Sequence, residues 1–444
     1  MTIRAWWLRA LLVTMCVVAV GCTGDDEPDA ASEDAASTTT AAAVSTTTAA
    51  PVAESSTSTT TTEPEVDSSP GVDNREIRVG LSVDLSGPLS SVDSFVLDAQ
   101  IAYFDLVNRN GGIGGRSVEV VALDHASDID AHIDNVQELL ERSERGVAMI
   151  SSVGGDEFAS TVSPSLVEEE VFGVSRGHVE PRGQVVRNIA HIGQSTCADG
   201  YAGVIRLIEQ SGELEEPPKL AIIARPDAYG ERSAVGASAA AEVMEIEVAI
   251  NYRGPIDAET VSALAERVAE ESPDFIWVAV SPRELRELFL GLEEVDQGSR
   301  WSGAFQSYDA LLLEASVSAS VSQRYTHTAS IDLFDHDSTG RTGRIRTAFP
   351  DAEYWAADSL AFGWQQAELA HAALVAADEA GDVSRAGIAA AFAAIVNEPS
   401  ETKFFSVDAQ AATLRLPLSD SGTTGLTALS GLSNDSPPLG DACG

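Results

Sequence analysis

Residues 77–155 restrict the fold more than any other stretch, because apolar strands and helical segments alternate there with glycine-rich turns between them. Ile77, Val79 and Leu81 begin an apolar run that stops at the turn cluster Ser86-Gly87-Pro88. From Asp93 a helical period takes over, carried by Phe95, Ala99, Ala102 and Leu106. Gly111-Gly112 ends that helix, and Gly114-Gly115 turns the chain into a second apolar run, Val118 to Leu123. A third run closes at Ser152 and Gly155. Apolar strands separated by helices predict a parallel sheet covered on both faces. Such sheets bind ligands outside the carboxyl ends of their strands, where the strand order reverses. Ser86-Gly87-Pro88 and Ser152 to Asp156 are therefore expected to form one wall of a cleft.

The alternation starts again further on, with strands expected at Lys219 to Arg225, Val248 to Gly254, Asp274 to Ser281 and Arg300 to Phe305. Pro282 stands where proline is favoured, in the first turn of a helix. At 444 residues there is chain enough for two cores. The expected fold class is α/β: two Rossmann-like lobes with parallel sheets joined by a hinge.

The segment SGP at Ser86, NRNGGIGGR at Asn108 to Arg116, and DHASD at Asp124 to Asp128 together resemble the opening of the type I periplasmic solute-binding proteins. The resemblance is to the branched-chain amino acid-binding branch that feeds ABC importers. It implies capture of a small polar solute by hinge closure, with an ABC permease and ATPase as partners and no bond made or broken. It places lobe 1 at residues 75–193 and 324–401 and lobe 2 at 194–323 and 402–444, with Arg187 to Gly193 crossing over and Arg324 to Asp332 crossing back. Thr402 to Asp408 and Ala412 to Leu418 would return to lobe 2. Tyr229, in a Tyr-Gly pair after the first strand of the second lobe, matches the tyrosine that closes over the ligand. Ser86, Gly87, Ser152, Gly154, Gly155 and Asp156 align with pocket loops, whose N–H and hydroxyl groups suit a carboxylate or amide. Ser175, Arg176 and Gly177 follow a strand at the cleft edge, and Ser281 completes the expected contacts. Phe305 and Gln306 occupy the neighbourhood where branched-chain members carry an acid, and Val92 stands where tyrosine is common. These departures point away from a plain aliphatic amino acid and toward a carboxylate or amide held by Arg176.

The first 22 residues read as an export signal: Arg4 and Arg9 flank Trp6-Trp7, and an apolar run too short to span a bilayer follows. It ends Ala-Val-Gly-Cys, which resembles a lipobox with Cys22 as the acylated residue. Residues 23–74 are Thr, Ser, Ala, Pro and acids, a composition that cannot offset chain entropy by burial, and read as a stalk. The net charge of −42 excludes nucleic acid and anionic membrane surfaces as partners. The expected protein is a monomer in the cell envelope, held to the outer face of the plasma membrane by its N-terminal lipid. Cys197 and Cys443 remain, and in an exported protein they are the natural disulfide pair.

Three further motifs bear on function. Gly173-Val174-Ser175-Arg176-Gly177 matches GxSxG, so a serine hydrolase using Ser175 is an alternative function; Pro181 and Gly183 break the helix that a nucleophile elbow requires. A drifted pocket serving as a sensor or scaffold is another. Asp335 to Gly340 resembles the start of a calcium loop, but Arg346 stands where a bidentate Glu is needed, so helix capping is expected. No His or Cys spacing suits a metal and no phosphate-binding loop is present, so no cofactor is expected.

Overall fold

The computed structural model describes residues 69–87, 89–141, 146–178, 188–210, 218–296, 298–313, 316–337, 339–395, 403–407, 415–429 and 443. The expected signal peptide, Cys22 and nearly all of the stalk lie outside the described residues. The folded lobe includes residues before the expected start at Arg75: Val72 is buried in the first core and bridges to Ile77.

The first sheet is built from β1 (Glu76–Val83), β2 (Ser117–Asp124), β3 (Met149–Ser152), β4 (Phe172–His178) and β5 (Ile189–Ser195), all parallel in the order β2-β1-β3-β4-β5. Helices α1 (Ser90–Arg109), α2 (Ile129–Leu140) and α3 (Asp156–Glu168) connect them. The NRNGGIGGR segment is a scaffold device. The Asn108 side chain accepts from the Val118 N–H at 2.7 Å and donates to its carbonyl at 2.9 Å, which pins the end of α1 to β2. Gly112 has φ +71° and lies so close to the Arg116 carbonyl that no Cβ fits.

After α4 (Thr196–Glu209) the pattern repeats through β6 (Lys219–Ala224), α5 (Ala228–Val243), β7 (Glu247–Arg253), α6 (Ala258–Glu271), β8 (Phe275–Ala279), α7 (Pro282–Leu292), β9 (Arg300–Gly303), α8 (Ser318–Arg324) and β10 (Tyr325–Ala329). Their parallel order, β7-β6-β8-β9-β10, repeats that of the first sheet. Pro282 does open α7, with Ser281 and Glu284 forming a capping box. Helices α9 (Arg341–Ala348), α10 (Ala357–Ala380) and α11 (Arg385–Ile395) follow. Both α10 and α11 pack on the first sheet: Ala367, Ala370, Leu374, Ile388 and Phe392 share a core with Ile77, Val79 and Phe172. Two antiparallel strands, β11 (Lys403–Val407) and β12 (Leu426–Ala428), then extend the second sheet to seven strands beyond β10.

The structure corrects two expected segments. Tyr325 to Ala329 is a strand of the second sheet, paired with β9 and β11, so the chain crosses back only after Ala329. The alternating residues at Leu416 and Leu418 do not form the last strand. Their backbones bond Tyr354 and Ala352, and Leu418 fills an apolar cluster with Ala99, Phe334 and Trp364. The run at 426–428 takes the edge position. Where the first two crossings meet, Gly193 has φ +96° and a Cβ there would fall 2.7 Å from the Ser330 hydroxyl. Asp337 accepts from the Arg341 and Thr342 N–H groups, so the expected capping role fits the start of α9.

Cys197, in the first turn of α4, is bonded to Cys443 with Cα atoms 5.7 Å apart, and both are buried. The bond closes a separation of 246 residues. Opening it is expected to lower stability by about 2–5 kcal/mol. Denaturant unfolding of the wild type and Cys197→Ser checks this, and unchanged midpoints would contradict it.

Candidate functional site

In each lobe the strand order reverses between the first and third strands, β1 and β3 in one sheet and β6 and β8 in the other. A cavity of about 140 Å³ lies at the carboxyl ends of these strands and takes its walls from both lobes. Leu89 and Val92 come from the segment after β1, and Arg176 from β4. Trp355 precedes α10, and Asp358, Ser359 and Phe362 lie on its first turns. From the second lobe come Arg225 and Tyr229 after β6, Val280, Ser281 and Pro282 after β8, and Phe305, Gln306, Tyr308 and Asp309 after β9. Six expected site residues, Val92, Arg176, Tyr229, Ser281, Phe305 and Gln306, thus meet around one space. A larger cavity of about 380 Å³ opens at the amino ends of β8 and β9, the wrong end for ligands of such sheets.

Arg176 is the buried cation of the site. Its guanidinium donates to the Asp93 carboxylate, and its carbon stands 5.6 Å from the centroid of the Phe362 ring. Arg225 lies at the rim, 39% exposed, and pairs with Asp227 at 2.9 Å. Tyr229 points its hydroxyl toward the Ser307 hydroxyl at 3.4 Å, and burial raises its pKa above the usual tyrosine range. The Tyr308 ring lies tilted against His327, 4.9 Å between centroids, with its hydroxyl buried and without a partner among the described residues; burial and the nearby Asp358 and Asp309 raise its pKa well above normal. Asp358 accepts from the Phe334 N–H at 2.9 Å, yet burial, with smaller contributions from Asp309 and Asp335, raises its pKa to about 7.

The other expected contacts are not among the lining residues, for a common reason. The loop after β1 already carries the chain's own anions. The Asp84 carboxylate accepts from the Gly87 and Leu89 N–H groups at 2.5 and 2.9 Å. Asp124 accepts from Leu85 and Ala126 at 2.9 and 2.8 Å and from the Ser86 hydroxyl, which together hold its pKa down at about 2. The N–H of Gly87 and the hydroxyl of Ser86 are thus already engaged within the chain. Ser152 is buried in β3, Gly154 accepts from the Arg176 N–H, Gly155 caps α3, and Asp156 begins that helix. Ser175 is wholly buried within β4 and Gly177 continues that strand, so Ser175 is not displayed on a strand-to-helix elbow. Sequence reasoning missed Leu89, Trp355, Asp358 and Phe362. Nothing near the β1 turn signals that helix α10, some 270 residues later, supplies the facing wall.

A profile described as periplasmic binding protein matches residues 76–411. The chain belongs to the periplasmic binding protein family. Solved structures share its two-lobed fold at low identity. A fatty acid ABC transporter substrate-binding protein from Thermomonospora curvata aligns with TM-score 0.70 and 19% identity, over 82% of this chain and 94% of its own. A branched-chain amino acid ABC transporter protein from Thermus thermophilus with bound valine gives 0.66 and 12%, over 81% and 96%. A solute-binding protein from R. palustris in complex with benzoate gives 0.60 and 18%, over 80% and 95%. No curated protein matches the chain by sequence.

The raised pKa of Asp358 has a consequence for stability. Between its ordinary value and about 7 the folded chain holds a proton that the unfolded chain has lost, so this residue's contribution to stability is present at low pH and declines as pH rises through 7. In urea unfolding from pH 4 to 8, Asp358→Asn is expected to flatten that decline. An identical pH profile for both proteins would refute the assignment.

Proposed function

We propose that this chain is the extracytoplasmic substrate-binding component of an ABC importer, and that its ligand is a compact carboxylate with an apolar or aromatic body. The observation that carries the reading is the pairing of one buried guanidinium, Arg176, with walls of Leu89, Val92, Phe305, Trp355 and Phe362 drawn from both lobes. The guanidinium edge suits a carboxylate and the rings suit an apolar body. The fatty acid, valine and benzoate of the similar structures are all carboxylates on an apolar frame. The volume of about 140 Å³ corresponds to roughly five waters, which favours a small solute.

Binding across two lobes favours the closed form through contacts that only that form makes, and the closed form docks on a permease and its ATPase. Acylation of Cys22, with the residues between it and Ser69 as a tether, keeps a monomeric receptor at the outer face of the plasma membrane. No helix among the described residues is long and apolar enough to cross a membrane. A second reading, an amino acid ligand, is favoured by Asp309 and Asp358, which line the same cavity and could face an ammonium group.

A thermal-shift panel of benzoate, octanoate, isovalerate, valine and benzamide on the mature chain separates these. The account predicts stabilisation by the apolar carboxylates, about 2.7 kcal/mol at a hundredfold excess over Kd, and isovalerate binding better than valine. Arg176→Gln is expected to weaken carboxylate binding roughly tenfold to a hundredfold. Affinity is expected to fall as pH rises through 7, because ionised Asp358 repels the anion. Preference for valine would support the amino acid reading, and no shift with any compound would favour the sensor or scaffold alternative.

A further inference from the structure

Arg176 could meet a ligand in many side-chain arrangements, and the surrounding residues restrict it to one. Its carboxylate partner, Asp93, is 4% exposed in its side chain, and Arg176 itself is 13% exposed. Asp93 lies in the first turn of α1, and its second oxygen accepts from the Asp84 N–H at 3.0 Å. Asp84 is itself fully buried and bonds Gly87, Leu89 and the Ser127 hydroxyl, so the carboxylate that holds Arg176 is backed by a rigid loop. The Phe362 ring covers the guanidinium face. With Nη2 on Asp93 and the guanidinium carbon over Phe362, Arg176 lines the cavity together with Leu89 and Val92, and a guanidinium has more donors than one carboxylate contact uses.

We propose that Asp93 is a positioning residue for ligand capture: it fixes the Arg176 guanidinium in the orientation that receives the ligand's carboxylate. The proposal rests on the reading of Arg176 as the head-group contact. Two effects oppose each other here. Asp93 lowers the local positive charge, which disfavours an anion. It also immobilises a long side chain before the ligand arrives, which favours binding, because that ordering no longer has to accompany association. The backing by Asp84 and the cover by Phe362 indicate a built orientation, and preorganisation is expected to win.

The test uses the mature full chain as wild type, Asp93→Asn, Arg176→Gln and the double variant. Asparagine keeps the shape and an acceptor for the Asp84 N–H, and a thermal melt of each variant confirms folding. Titration with benzoate and with benzamide gives the ratio of carboxylate to amide affinity, which a general loss of structure would not change. Asp93→Asn is expected to lower that ratio about tenfold, with little change for benzamide, and the double variant is expected to bind no more weakly than Arg176→Gln alone. An unchanged ratio, equal loss of both compounds, or tighter benzoate binding would overturn the proposal. A ligand-free arm follows the Arg176 Nε–H NMR resonance, identified by its loss in Arg176→Gln. Asp93→Asn is expected to shift it and speed its exchange, and an unmoved resonance would also overturn the proposal. If the resonance moves but wild type binds no carboxylate, the carboxylate reading falls and with it the ligand role of Asp93, while the holding contact stands.

Discussion

Parallel pairing of β1 with β3, and of β6 with β8, is the constraint from which the rest of the molecule follows. In both sheets the second strand returns to the outer side of the first and the third lies on the inner side. The connections leaving β1 and β3 therefore diverge to opposite faces, and so do those leaving β6 and β8. A crevice opens at the carboxyl end of each sheet. The chain crosses between the sheets after β5 and after β10, and Gly193 and Ser330 lie in contact at those crossings. The two crevices become the walls of one cavity, lined by the turns that the reversal frees.

What fills those turns governs how the cavity can meet an anion. The buried Asp84 and the exposed Asp124 carboxylates occupy backbone donors of the β1 loop, N–H groups that would otherwise be free for an anion. With those donors engaged, the proposed reading assigns recognition of an anion to Arg176, which lines the cavity from β4. The net charge of −42 works against anions at long range, but salt screens it within about 10 Å, so the local guanidinium decides.

Much of the scaffold was legible in the sequence because period and turn chemistry act locally. Ile77 to Leu81 and Phe275 to Ala279 read as strands and are strands; Asn108 to Arg116 read as a helix end and turn, and Asn108 and Gly112 hold it. Lengths failed where local signals were equal. The alternation at 412–418 and the run at 426–428 are equally plausible as an edge strand, and tertiary packing of Leu418 decided between them. Within the site, residues that immediately follow strands, such as Tyr229 and Phe305, could be anticipated from position alone. Ser86 and Gly87 could not be excluded, since only the fold shows Asp84 and Asp124 turned toward them. Trp355, Asp358 and Phe362 stayed hidden for a related reason: Phe362 lies in a helix whose apolar residues all read as core, and its place opposite Phe305, 6.2 Å between centroids, depends on how the lobes meet.

The most direct test of the central claim is a crystal structure of the mature chain grown with benzoate. The account predicts the ring packed against Phe305 and Phe362, with the carboxylate about 2.7–2.9 Å from the Arg176 guanidinium. Benzoate bound instead at the amino ends of β8 and β9, or against the β1 loop amides with Asp84 displaced, would contradict it.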